Sequence, residues 1–182
     1  MPRLPLVALL AFAAPTFAVD LVKDGKPVAV VVSDGKPPSP PAKGKKAAPP
    51  TDEDAAVGLL VSWTKKMTDA DLTMSDQPEP GRPAIYVGAA AVRAGLKLDD
   101  IPSPSREGVR IVVEADRVLI GGQNGDATVK AVARFLEHLG CRYFMDGPLG
   151  EVFPRTKNLS VAPTVITEKP GLLYRNPKGP SW

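Results

Sequence analysis

The chain has one cysteine, Cys141, and one histidine, His138. A disulfide within the chain is therefore impossible. So is a metal site built from cysteine pairs or from histidines at i and i+4. Aromatic residues are 5% of the total and the net charge is +3. Neither figure suits a groove that interleaves basic residues with stacking aromatics, so nucleic acid is not an expected partner. Part of the positive charge is Lys36, Lys43, Lys45 and Lys46, in a single proline-rich tract. Long apolar runs are also missing. The stretch from Leu4 to Ala14 is too short to span a bilayer. It follows Arg3 and precedes Thr16-Phe17-Ala18, which puts small residues at the two positions a signal peptidase reads. Residues 1–18 read as a signal peptide cleaved after Ala18. The mature chain is expected to be secreted or periplasmic, without a membrane span.

What is present is an α/β pattern. Leu21-Val22 and Val28 to Val32 flank Asp24-Gly25-Lys26-Pro27, a turn signal. The unbroken apolar run 28–32 predicts a strand covered on both faces. Residues 33–50 hold six prolines and four lysines with no large apolar anchor, so a flexible loop is expected there. Thr51 is placed to cap a helix over 52–67, with Asp52, Glu53 and Asp54 in its first turn and Ala56, Leu60, Trp63 and Met67 on its apolar face. A polar loop leads to a strand at 84–87. A short helix over 89–94 ends at Gly95. A hairpin follows, pairing 109–113 with 118–120.

Val118 to Phe144 then reads as strand, glycine turn, helix, strand. The helix runs from about 126 to 139, with Val129, Val132, Leu136 and Leu139 as its core stripe and Phe135 to one side. Val152-Phe153 and 159–161 are weaker strand candidates, and the stretch after Pro163 shows no strong period. The expected architecture is a mixed, mostly parallel sheet with helices packed on it, in the order β-α-β-α-β-β-α-β. The chain divides into the signal (1–18), the first strands (19–32), the Lys/Pro-rich loop (33–50), the rest of the domain (51–168) and a tail (169–182).

Candidate chemistry is sparse. Gly121, Gly122, Asn124 and Gly125 sit between strand and helix, where backbone amides could cradle an anion or another ligand. The turn lacks both the dinucleotide pattern G-x-G-x-x-G and the phosphate-loop Gly-Lys-Ser/Thr ending. Asp126 reads better as the helix N-cap. Arg142, in an otherwise apolar strand, is expected to pair with a carboxylate or loop carbonyls, with a ligand or domain contact as the alternative. Cys141 reads as a small buried hydrophobe and His138 as a partly exposed helix residue. Carboxylates at Asp99, Asp100, Glu114, Asp116, Asp146 and Glu151 lie in or beside loops, and a glycosidase would need two of them held about 5–10 Å apart. No catalytic residue, cofactor or metal ligand is assigned.

A set of ordered segments carries a resemblance: Val22-Lys-Asp-Gly-Lys-Pro27, Ala55-Ala56, Lys66-Met67-Thr68, Ile85-Tyr-Val-Gly88, Gly95-Leu-Lys-Leu98, Val118-Leu-Ile-Gly-Gly122, Phe135 to Phe144 and Gly150-Glu-Val-Phe-Pro154. Their order and spacing resemble the N-terminal α/β domain of alpha-glucuronidase-like glycoside hydrolases and related secreted proteins. The corresponding domain of beta-hexosaminidases shares the architecture. The resemblance implies that such a domain precedes a (β/α)8 barrel holding the catalytic carboxylates, packs on it, and is not itself the catalyst. A barrel would be expected to begin near Tyr174-Arg175. Two departures stand out: the Lys/Pro-rich loop looks inserted, and Asp69 stands where a glycine is expected after the first helix.

Three functional readings stay open from the sequence. One is a non-catalytic accessory domain whose partner is a catalytic barrel. Another is an independent module binding a glycan or an anion near Gly121 to Asp126. The third is a hydrolase using the loop carboxylates. Carbohydrate platforms need exposed aromatics, whereas Trp63 reads as buried and Trp182 is terminal.

Overall fold

In the computed structural model, residues 18–37, 50–145 and 147–171 are described. The signal peptide expected at the N-terminus, the centre of the Lys/Pro-rich loop, Asp146 and most of the tail lie outside them.

The main sheet has six strands: β3 (Val30–Val32), β4 (Thr73–Ser75), β5 (Ala84–Val87), β6 (Val109–Val113), β7 (Arg117–Gly122) and β11 (Thr164–Glu168). Their spatial order is β11-β6-β7-β5-β3-β4. The four strands β4, β3, β5 and β7 run parallel; at one side β6 pairs antiparallel with β7, and β11 pairs antiparallel with β6. The run ending at Val32 is buried at all three strand positions, as an apolar parallel strand requires. The sheet is therefore mixed, with α1 (Asp52–Thr68), α2 (Ala89–Arg93) and α3 (Gly125–His138) packed on it.

Helices α1 and α3 share one face. Their buried side chains pack with Val31, Ile85, Val87, Ile111, Val118 and Ile120 in the largest core cluster. On the other face, α2 and the loop after it bury Leu96, Leu98 and Ile101 against Leu119, while Ala90 meets Val30 and Val32. A separate three-stranded sheet joins β1 (Val19–Lys23), β2 (Lys26–Pro27) and β10 (Leu159–Val161). The Asp24-Gly25 turn joins the first two, as the sequence predicts.

Several expectations are corrected. The main sheet gains two strands: β4 lies in the stretch read as a polar loop, and β11 in the stretch read as patternless. Both are edge strands without a fully buried residue, so neither carries the apolar signal of a central strand. The stretch after α3 does not enter the main sheet. Gly140, at φ 94°, turns the chain out of the helix, and Cys141 N–H donates to Leu136 O (3.0 Å). Arg142–Tyr143 (β8) then pairs with Glu151–Val152 (β9) in a two-stranded ribbon. The buried face of α3 is centred differently too. Phe135 is fully buried with Ala127, Ala131, Val132 and Leu136, while Val129 and Leu139 are partly buried. Small alanines let α3 approach its neighbours closely, so the stripe follows Ala127-Ala131-Phe135 rather than the larger aliphatics.

The first residues of the expected flexible loop are tied down. The backbone amide of Lys36 donates to Asp54 Oδ1 (2.7 Å), and Asp34 holds Arg93 through two hydrogen bonds (2.7 and 2.8 Å). Thr51 and Asp54 cap α1 reciprocally, an arrangement worth about 1 kcal/mol. At the other end of α1, Asp69 adopts φ 61° and donates its N–H to Lys65 O. The expected glycine is replaced by one of the few residue types that enter the left-handed region at modest cost.

Candidate functional site

The N-termini of all three helices lie at the carboxyl end of the parallel strands, where open α/β sheets place their ligands. Here they meet side chains of the chain itself. Thr51 Oγ1 accepts from Asp54 N–H (3.1 Å), Glu53 Oε1 accepts from Ala89 N–H (2.8 Å), and Asn124 Oδ1 accepts from Ala127 N–H (2.7 Å). Asn124, not Asp126, is the N-cap of α3. Asp126 sits one step further in and pairs with Lys130 (2.6 Å), where its charge still favours the helix start.

The glycines of this turn serve close packing. A Cβ at Gly122 would collide with the backbone and side chain of Ala127, and one at Gly125 with the Asp52 carboxylate. Gly121 faces Leu96 and Leu98 on the other side of the sheet. A crevice of about 250 Å3 remains, lined by Glu53, Gly88, Ala89, Gly122, Asn124 and Gly125 among others. The structure thus brings Gly121, Gly122, Asn124 and Gly125 together. Arg142 lies beyond the far end of α3, about 20 Å along the helix axis.

Arg142 Nη1 donates to Glu137 O (2.7 Å) and Cys141 O (2.6 Å), satisfying a carbonyl at the C-terminus of α3. The sequence expectation of carbonyl partners fits this geometry. Around it the molecule is apolar. A groove of about 390 Å3 runs between α1 and α3, lined by Leu59, Trp63, Ala133, Leu136, Arg142 and Tyr143 among others. Trp63 is buried and meets Tyr143 and Phe153 edge-on, at centroid distances of 6.5 and 6.1 Å. Lys66 lies over the Trp63 ring at 5.1 Å and grips Glu151 at 2.6 Å, fastening β9 to α1. Cys141 is buried beside Met67, and that burial pushes its thiol pKa up.

Beyond this fastening the ribbon is bare. Seven large hydrophobic residues are exposed among the described residues, and five of them lie between 143 and 152. These are Tyr143, Phe144 (71% exposed), Met145, Leu149 (95%) and Val152. An exposed apolar patch is expected of such a domain, but sequence reasoning did not place it at these residues. Its signal was the run Tyr143-Phe144-Met145, which resembles a buried strand.

Of the loop carboxylates, Asp146 lies outside the described residues, and four of the others meet cations. Asp100 binds Arg110 (2.8 Å), Glu114 binds Arg117 (2.6 Å), Glu151 binds Lys66, and Asp99 lies 3.7 Å from Arg106. Asp116 uses its backbone carbonyl to accept from Ala84 N–H. Among the described residues, three carboxylates are shifted in acidity, and all three go down. Asp34 is lowered by its hydrogen bonds with Arg93, Asp54 by the Lys36 amide and then Thr51, and Asp100 by Arg110. A general acid needs the opposite shift. Among the described residues, no three His, Cys, Asp or Glu side chains are grouped so as to hold a metal ion, and no helix is long and apolar enough to cross a membrane.

No family model matches the sequence, and no curated protein is similar to it. The fold is similar to part of a solved structure, a family GH115 4-O-methyl-alpha-glucuronidase with specificity for decorated arabinogalactans. The likeness has a TM-score of 0.59 at 14% identity and covers 86% of this chain and 19% of that one. It shows a shared fold over a small part of a much longer glycoside hydrolase.

Proposed function

We propose that the chain is a non-catalytic accessory domain of a secreted, alpha-glucuronidase-like carbohydrate-active protein, and that it packs on a catalytic barrel outside this sequence. The observation that carries this reading is the match of the α/β fold to a small part of a glucuronidase chain. The chemistry of the side chains supports it. Glycoside cleavage needs an acid and a second carboxylate on a rigid scaffold around the sugar. The loop carboxylates of this domain with side-chain partners are tied to cations. Export rests on the leader expected at 1–18, whose expected cleavage point falls just before β1 at Val19.

The test is to probe the native secreted fraction with an antibody against the domain. The expected result is reactivity in an assembly far larger than 19.2 kDa that carries alpha-glucuronidase activity. The chain alone should be inert towards aryl glucuronides, aryl hexosaminides and xylan-derived oligosaccharides. A lone chain without associated activity overturns the reading. Turnover by the purified chain that vanishes on changing Asp100 or Glu114 would replace it with a hydrolase.

A further inference from the structure

We propose that β11 is an interface strand: its free edge pairs antiparallel with β11 of a second copy of this chain, joining the two main sheets into one. The inference stands apart from the accessory-domain reading, because it concerns only the edge of the main sheet.

The backbone of β11 is half used. Glu114 N–H donates to Arg117 O (2.8 Å) and Gln123 N–H to Gly108 O (2.9 Å), one just beyond each end of β6. Hydrogen-bonded pairs alternate along an antiparallel ladder. Arg110 and Val112 therefore bond to β7, while Val109, Ile111 and Val113 turn their peptide groups to β11. Their partners there are Glu168, Ile166 and Thr164. Val165 and Thr167 point their N–H and C=O groups the other way, off the end of the sheet. Val165 is 65% exposed.

The opposite edge of the sheet is guarded, and this one is not. β4 has three residues, and Pro78, Pro80 and Pro83 follow it. Short strands and prolines are common defences of an edge. β11 has five residues, four of them β-branched, with neither proline nor lysine among them. It is also pinned in place. Thr167 Oγ1 accepts from Arg110 Nε (3.0 Å), Glu168 accepts from Arg134 Nε (2.7 Å), and Lys169 Nζ donates to Pro102 O (3.1 Å) just past the strand. A strand held this way loses little conformational entropy on pairing.

The strand is self-complementary, and this selects a second copy as the occupant. A two-fold axis beside Ile166 sets Val165 opposite Thr167 of the second copy, and Thr167 opposite its Val165. Both pairs use the free peptide groups. Ile166 meets its own counterpart on the face that packs against the main core. Glu168 faces Thr164, so no like charges oppose each other. Sliding the pairing one way sets Pro163, which has no N–H, opposite Thr167. Sliding it the other way sets Ile166 against the charge of Glu168. The resulting interface is isologous and closes at two copies.

The test uses the full exported protein with one cysteine added to β11, at Ile166→Cys or at Thr164→Cys, under mild oxidation with diamide. Cys141 is buried and adds little background. Across the two-fold axis the Ile166 positions form a non-hydrogen-bonded pair with Cα atoms about 4.5 Å apart, within disulfide reach, whereas the Thr164 positions lie more than about 7 Å apart. A disulfide-linked dimer should therefore form roughly tenfold faster or more with Ile166→Cys than with Thr164→Cys. Adding Val165→Pro removes only an outward N–H, which an edge strand tolerates. It should abolish the link and leave the far-ultraviolet circular dichroism unchanged. Sedimentation should find two copies of the unaltered protein together and Val165→Pro as one. Equal linking at the two positions, linking that survives Val165→Pro, or a single copy of the unaltered protein at every concentration overturns the pairing and leaves the accessory-domain reading intact.

Discussion

The two ends of α3 solve opposite problems. At its N-terminus the chain meets its own polar demands: Asn124 caps α3, Glu53 caps α2, and Thr51 with Asp54 caps α1. At its C-terminus the polar groups are also satisfied, yet a row of large apolar side chains is left uncovered. Backbone amides at the carboxyl end of a parallel sheet are the usual place to seek a ligand. In this molecule that end is occupied by its own side chains, and the unmet demand is apolar. Where a surface is incomplete says more about partners than where a fold usually binds them.

The sharpest way to break this contrast uses two phenylalanines. Phe135 is fully buried and Phe144 is largely exposed. Phe135→Ala should cost about 3–5 kcal/mol, whereas Phe144→Ala should change stability by less than about 0.5 kcal/mol. Urea denaturation of both variants measures the difference, and comparable losses would mean the ribbon belongs to the core. Next in size is Gly122→Ala. The added methyl group strikes Ala127, so a cost of about 1–3 kcal/mol is expected. A neutral result would show that the glycine turn has room for a ligand. Asn124→Ala should cost about 1 kcal/mol by removing the α3 cap, and Asn124→Asp should preserve most of it. If neither change moves the melting temperature, the capping account of that end fails.

Acid sharpens the same comparison. Asp34, Asp54 and Asp100 all have folded pKa values below the ordinary aspartate value of about 3.9. The sign follows from linkage. A depressed folded pKa adds stability above the unfolded value, and that stability disappears as pH falls through the folded value. Melting temperature should therefore hold down to about pH 4 and drop below it. Asp34→Asn should flatten that drop. An unchanged profile would mean that the Arg93 contact contributes nothing in solution. The smallest effect is at Asp69. Asp69→Gly relieves a left-handed residue but gives the unfolded chain more freedom, so a net gain of about 0.5 kcal/mol is expected from thermal melts.

Much of the fold was legible because its signals are local. Thr51 followed by three acids fixed the start of α1, Gly140 fixed the end of α3, and the continuous apolar run ending at Val32 fixed a parallel strand. The edge strands were not legible. Thr73-Met-Ser75 pairs through its backbone, with Thr73 exposed and Met74 and Ser75 partly buried, so its side chains carry no strong pattern. Thr164 to Glu168 is β-branched, yet it too reads as a tail because it lies beyond the last helix. The glycine turn was placed correctly, but its cap was not. Asn124 and Asp126 are both good caps, and only the bond from Ala127 N–H to Asn124 Oδ1 decides between them. The apolar ribbon was hidden for a different reason. Tyr143-Phe144-Met145 looks the same in sequence whether it faces a core or a partner, because periodicity reports a face and not what covers it.

The double grip of Asp54 has a consequence for how this chain tolerates change. One carboxylate holds the backbone amide of Lys36 and that of Thr51, so the chain departs and returns at a single post. Whatever is spliced between those points need not alter the path of β3 or α1. Lengthening such an excursion costs only about 0.6 kcal/mol per doubling. This position is therefore a natural port for insertion, open to a tag, a protease site or a second module. Asp54→Ala should close that port by making stability sensitive to the length of what is inserted.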